Sequence, residues 1–261
     1  MKSVNQIIFS LLLVPSFVTF GAQASDLAKE KRWANQIVDE IFVGEAVWLK
    51  ADDRKFLGIY AESTTKNPRG AAIILHGVGA HPNWADVIYP LRTRLPESGW
   101  DTLSLQMPVL PNDANYKEYI PLFPKIAPRI NAGISFLKKR GTKNIVLIGH
   151  SMGATMAGYY VATNREAGIQ KLVAIGATGN LFKHPKLDYI QSLKKIKIPV
   201  LDLSGTEDLP GVVQTKLLKA KTAKAAGNKQ YRQIEISGAN HFLVGKEDEL
   251  VREVSNWLKS N

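Results

Sequence analysis

The sequence predicts an α/β architecture: a mostly parallel eight-stranded sheet with helices on both faces and a small or absent cap. Three observations predict it. Short apolar runs alternate with longer segments of helical periodicity from about residue 70 to the C-terminus. Several of the runs, such as Ala71 to Leu75 and Asn144 to Ile148, are apolar almost throughout, as strands buried on both faces are. Strand-then-helix alternation at this spacing also requires crossover connections, and those yield parallel strands covered on both sides.

The chain has 261 residues and opens with a segment that is not expected to join the fold. Lys2 is followed by a mostly apolar stretch from Ile7 to Phe20 and by Ala22-Gln23-Ala24, small residues at the −3 and −1 positions of a cleavage site. This pattern predicts a signal peptide over 1–24 and a periplasmic or secreted protein. The stretch is short and interrupted for a membrane span. No Cys follows it, which excludes lipid attachment there. The remaining 25–261 suits one domain with its own core. With no Cys, the chain has no disulfide, no thiol nucleophile and no thiolate metal ligand.

The elements follow in order. Asp26 to Phe42 reads as an amphipathic helix, with Leu27, Trp33, Ile37 and Ile41 near helical spacing. Ala46 to Lys50 and Lys55 to Ala61 read as an antiparallel pair around Asp52-Asp53. Six more strands are expected at Ala71–Leu75, Asp101–Gln106, Asn144–Ile148, Leu172–Ile175, Val200–Leu203 and Tyr231–Ile236. Helices are expected at Trp84–Leu95, Ile120–Lys139, Met152–Thr163, Val212–Ala226 and Glu247–Lys259. In an open sheet of this kind, sites lie beyond the carboxyl ends of the strands.

The chemistry-bearing motif is Gly149-His150-Ser151-Met152-Gly153, between a strand and a helix. Chance alone supplies roughly 0.1 G-x-S-x-G patterns in a chain this long, so its placement at a strand-to-helix turn is what makes it specific. A nucleophilic Ser151 perches on such a turn, where glycines leave room for a crowded backbone. A serine hydroxyl needs a base, and the base needs an orienting acid. Downstream of Ser151 the histidines are His184 and His241. His241 follows the last strand, so it is the expected base, while His184 reads as a surface residue. Gly205-Thr206-Glu207-Asp208 follows the strand Val200–Leu203 and makes Asp208 the expected acid. Glu207 and Asp202 are the alternatives, the latter also readable as a buried, satisfied carboxylate. An oxyanion hole needs two N–H donors. Met152, next to the nucleophile, and Val78, in the loop His76-Gly77-Val78-Gly79, are expected to supply them. His76 and His81 have no evident third ligand, so no metal is expected, and no organic cofactor either.

These three motifs, together with Asn240-His241-Phe242, resemble the α/β-hydrolase superfamily. The runs His76 to Trp84 and Gly99 to Pro108 more narrowly resemble a bacterial family of uncharacterised α/β-hydrolase-like envelope proteins. The wider resemblance implies a serine hydrolase with a Ser-Asp-His triad acting on a small-molecule ester. The narrower one implies a fold and a location but no substrate. A non-catalytic envelope binding protein that keeps the fold is the alternative. Only 57 positions (208 − 151) separate nucleophile from acid. That leaves Asn180 to Lys195 for a lid and Pro108 to Pro121 as another wall, so an open site is expected.

The formal charge is +11, with an excess of lysines between Lys186 and Lys229. They are readable as a solvated face or as a weak contact with an anionic envelope surface. No nucleic-acid motif accompanies them, so nucleic acid is not an expected partner.

Overall fold

The computed structural model describes residues 25–179 and 184–260. The expected leader, 1–24, lies outside the described residues, as do the first four residues of the Asn180–Lys195 lid segment.

Eight strands form one sheet: β1 (Glu45–Ala51), β2 (Arg54–Ala61), β3 (Gly70–Leu75), β4 (Trp100–Leu105), β5 (Ile145–His150), β6 (Ile169–Ile175), β7 (Val200–Glu207) and β8 (Tyr231–Asn240). Their spatial order is β1-β2-β4-β3-β5-β6-β7-β8. β1 pairs antiparallel with β2, and β2 antiparallel with β4. All other neighbours are parallel. From β3 the chain first steps one way to β4 and later the other way to β5. The crevice beyond β3 and β5 is therefore the topological switch point, where open sheets bind ligands.

Alternation along the buried strands divides the core in two. Ala71, Ile73 and Leu75 of β3 point to one face, with Leu147 of β5 and Leu172 of β6. The helices α3 (Ile126–Lys139), α4 (Met152–Thr163) and α5 (Tyr189–Leu193) cover that face. Ala72, Ile74, Ile148 and Leu203 point to the other, under α2 (Ile88–Arg94) and α8 (Glu247–Lys259). α1 (Leu27–Val38), capped by Asp26 accepting from Lys29 N–H, packs Ala34 and Ile37 on Leu57 and Ile59 of β2. Between β7 and β8 run α6 (Pro210–Val213) and α7 (Lys216–Ala225).

Several boundaries differ from the sequence expectation. α3 starts at Ile126 rather than Ile120, behind a 3₁₀ helix over Tyr116–Lys125 that holds Pro121 and Pro124. The helix expected at Val212–Ala226 is broken at Gln214-Thr215 into α6 and α7. α2 starts at Ile88 rather than Trp84, because Val87 sits at φ +48° and interrupts any helix through it. α1 stops at Val38, where the chain turns at Asp39-Glu40. Gly205-Thr206-Glu207 reads as a loop, yet it extends β7, since β8 also continues to Asn240 and pairs with Glu207 past a register shift.

Candidate active site

The nucleophile turn is built by close backbone approach. Ser151 follows β5 and caps α4 at φ 56°, ψ −120°, a positive-φ conformation that costs energy in a residue with a Cβ. Its N–H is held by Ile175 O at 2.8 Å, and its carbonyl accepts from Ala154 and Thr155. A Cβ on Gly149 would lie 2.3 Å from Gly153 O, and one on Gly153 would lie 2.3 Å from Leu75 O. No side chain fits at either position, so the two glycines are what let β5 turn into α4 against the end of β3.

The structure brings Ser151, Asp208 and His241 together from three strand ends. His241 Nε2 is 2.9 Å from Ser151 Oγ, and His241 Nδ1 is 2.6 Å from Asp208 Oδ1. A carboxylate can only accept, so Nδ1 carries the proton and Nε2 offers its lone pair to the serine hydroxyl. Leu209 N–H donates to the same Asp208 oxygen at 2.6 Å. All three side chains are largely buried. Asp202, the alternative acid, is committed elsewhere: Lys219 Nζ is 2.9 Å from it, and Tyr231 and Gln233 also donate to it. Glu207 is exposed. His184 accepts from Lys186 N–H in a local turn.

A Cβ on Gly77 would lie 3.0 Å from Ser151 Cβ, so the loop after β3, which carries Val78, runs alongside the serine. Met152 begins α4, whose N-terminus favours negative charge.

Other residues at the site were not singled out in the sequence. Tyr116 Oη lies 3.2 Å from Ser151 Oγ. It comes from the Pro108–Pro121 segment, expected only as a wall. A tyrosine between Asn and Lys in a loop has no local signal, and only the tertiary fold reveals it. That wall is tied to the N-terminal segment. Asp26 N–H donates to Val109 O at 2.7 Å, Ser25 Oγ lies 3.0 Å from both Val109 N and Val109 O, and Lys29 Nζ donates to Leu110 O at 2.9 Å. Glu30 pairs with Arg129 at 2.9 Å, both nearly buried, and Arg129 also donates to Gln106 O.

Two buried histidines brace the site. His150 Nε2 is 2.9 Å from the His241 carbonyl, and its ring centroid is 5.0 Å from that of His241. Burial, and then the neighbouring His241, pushes its pKa down to about 4. It is thus neutral at pH 7 and donates to the carbonyl, fixing the base loop. His76, pushed by burial down to about 3, accepts from Met107 N–H at 2.9 Å through Nε2. It thereby joins the loop after β3 to the loop after β4. His81 accepts from Asn83 N–H.

Chemically, this arrangement sets a hydroxyl, an imidazole and a carboxylate in series beside a helix N-terminus. The fold is that of α/β-hydrolases. Ferulic-acid-bound Est1E from Butyrivibrio proteoclasticus superposes with a TM-score of 0.66 at 18% identity, over 82% of this chain and 98% of that one. A putative dienelactone hydrolase from Klebsiella pneumoniae gives 0.67 at 14%, over 83% and 98%. The esterase Pf2001 from Pyrococcus furiosus gives 0.63 at 19%, over 82% and 91%. No curated protein matches the chain in sequence. Residues 22–121 and 122–260 match a family described as "Protein of unknown function (DUF3530)".

Proposed function

The chain belongs to the DUF3530 family, and from that premise we propose that it is a serine esterase transferring an acyl group to water through an acyl-enzyme. The observation that carries the reading is the series Asp208–His241–Ser151, at 2.6 and 2.9 Å, on a strained turn. A binding protein has no need of that set. Esterases among the proteins of like fold agree with it.

In the proposed reaction Ser151 Oγ bonds to the ester carbonyl carbon as its proton passes to His241 Nε2. Asp208 keeps the proton of Nδ1 in place and stabilises the imidazolium. The carbonyl oxygen becomes an oxyanion, held by the Met152 and Val78 amides. Collapse breaks the bond to the alkoxy group, which leaves as an alcohol with the proton from His241. Water, deprotonated by the same nitrogen, then releases the carboxylic acid and restores Ser151.

Tyr116 is assigned a third donor role. In the resting site its hydroxyl faces Ser151 Oγ. In the tetrahedral intermediate that oxygen is bonded to the substrate carbon and is a poorer acceptor, and the Tyr116 hydroxyl is proposed to donate to the adjoining oxyanion. The substrate class proposed is a soluble ester of a short or medium acyl chain. Among the described residues, only the five-residue α5 stands between β6 and β7, where a deep lid would arise. The proposed location is the periplasm or the cell exterior, on the strength of Lys2, the apolar stretch and Ala22-Gln23-Ala24.

A fluorophosphonate probe tests the chemistry. The wild-type protein is expected to take up one label, on Ser151, and Ser151→Ala to take up none. A folded wild-type protein that stays unlabelled at neutral pH would mean a non-catalytic envelope binding protein on the same fold.

A further inference from the structure

Apolar side chains are left in solvent on both sides of the triad. Among the described residues, ten large hydrophobic side chains are exposed, and six of them are Leu209, Val213, Leu217, Leu218, Phe242 and Val244. These lie on only two segments. One leaves β7 just after Asp208, and the other leaves β8 just after His241. Since Asp208 and His241 are in direct contact, both segments rise from the same point of the sheet's carboxyl edge. Leu209 caps α6, Val213 ends it, and Leu217 and Leu218 open α7, so the exposed apolar side chains cluster where the two short helices meet. That cluster is turned outward: Leu217 is 71% exposed, while Val212, Lys219 and Ala223 face inward.

The charge of the same segment is one-sided. From Leu209 to Ile234 there is no acidic residue and there are six basic ones: Lys216, Lys219, Lys221, Lys224, Lys229 and Arg232. Lys219 is consumed by its buried pair with Asp202, and Lys216 lies against Glu235. Lys221 and Lys224 are exposed and stand four and seven positions from Leu217, on its face of α7. Apolar side chains in solvent beside lysines supply the two attractions, apolar burial and charge, that hold a protein surface at an anionic lipid–water interface. Lysines close to an anionic bilayer strengthen that attachment additively.

We infer that this face, centred on Leu217 and the neighbouring lysines, docks on a bilayer containing anionic phospholipid beside the Ser151 site. The docking does not depend on the chemistry assigned to Ser151.

The experiment is co-sedimentation of the leaderless protein, residues 25–261, with vesicles of phosphatidylglycerol and phosphatidylethanolamine, and with vesicles of phosphatidylcholine alone. Binding to the anionic vesicles is expected to weaken in 0.5 M salt. Lys221→Gln with Lys224→Gln is expected to weaken it roughly thirtyfold, at about fivefold per lysine. Leu217→Asp is expected to weaken it about tenfold or more, with turnover of a soluble p-nitrophenyl ester and the thermal midpoint unchanged. Lys139→Gln with Lys143→Gln, exposed just before β5 and away from α7, serves as the charge-matched control and should stay within twofold of wild type.

Four results would overturn the inference. One is absence of binding to anionic vesicles at low salt. Another is equal binding to phosphatidylcholine. A third is equal loss from the two lysine pairs, which would reduce the effect to net charge. The fourth is binding that ignores Leu217→Asp and is matched by dextran sulfate or displaced by millimolar inorganic phosphate. That result would assign the lysines to an anionic polymer or to a phosphate site.

Discussion

Replacing Tyr116 with Phe removes one oxygen, 3.2 Å from Ser151 Oγ, and keeps the ring that packs against the core. The size of the effect follows from what that oxygen is proposed to meet. A hydrogen bond to a charged acceptor contributes about 1.5–3 kcal/mol net. If it forms only when the oxyanion forms, the whole of it appears in the barrier, and about 1.4 kcal/mol is tenfold in rate. Tyr116→Phe should therefore lower kcat by roughly ten- to 150-fold with KM little changed, since the ground-state ester carbonyl gains much less from the bond. Steady-state kinetics on a p-nitrophenyl acetate-to-octanoate series reads both constants. Fluorophosphonate labelling should slow in parallel, because phosphonylation also develops charge on oxygen. A rise in KM at constant kcat would make Tyr116 a substrate-binding residue. A value of kcat/KM within twofold of wild type would refute the donor role altogether.

Three further outcomes are expected. Asp208→Asn should lower kcat by roughly 10⁴ through loss of the correct His241 tautomer, while Asp202→Asn should act on the thermal midpoint and leave pre-steady-state acylation measurable. Glu30→Ala should cost about 3–5 kcal/mol by leaving the Arg129 guanidinium buried and unpaired, a fall of about 6–20 °C in a calorimetric Tm for a domain of this size. His150 and His76 are held neutral by burial, with pKa values of about 4 and 3. The unfolded chain binds those protons more readily. Their contribution is therefore complete above about pH 6.5 and is lost as pH falls from there toward the folded values, at up to about 1.4 kcal/mol per pH unit for each histidine. Urea titrations at pH 7, 5.5 and 4.5 would show this, and a stability that is flat over that range would contradict it.

The sheet was legible because its strands are buried on both faces and so read as unbroken apolar runs. β3 and β5 are the clearest cases, and the expected ends fall within a residue or two of the observed ones. Ser151, Asp208 and His241 were legible for a different reason: each immediately follows a strand, and their order along the chain is one that a parallel sheet can bring to one edge. What was illegible is held by tertiary contact alone. Gly205 to Glu207 has the composition of a turn and becomes strand only because β8 continues beside it. Val87 gives no sign of its left-handed backbone. Tyr116, His76 and His150 act through partners about 30 to 90 positions away. Periodicity and local motifs are blind to contacts of that range. Asp202 was legible as a buried carboxylate but not as the partner of Lys219, which the lysine-rich run hides among exposed neighbours.

The N-terminal segment gives the enzyme proposed here an order of events. Ser25 meets Val109 across 84 positions, Lys29 meets Leu110 across 81, and Glu30 meets Arg129 across 99. None of these partners occupies its place until β4 and α3 are packed, and closing spans of that length costs entropy before any contact repays it. Seating the first described residues therefore depends on β4 and α3 being in place. The wall they secure carries Tyr116 to Ser151, so a chain with a finished sheet and a loose N-terminus would hold the Ser-His-Asp series without its third donor. Full hydrolytic power would then depend on that seating. On the proposed reading, a chain with that segment unseated would be a weak esterase, becoming a competent one only when its own beginning closes over the site.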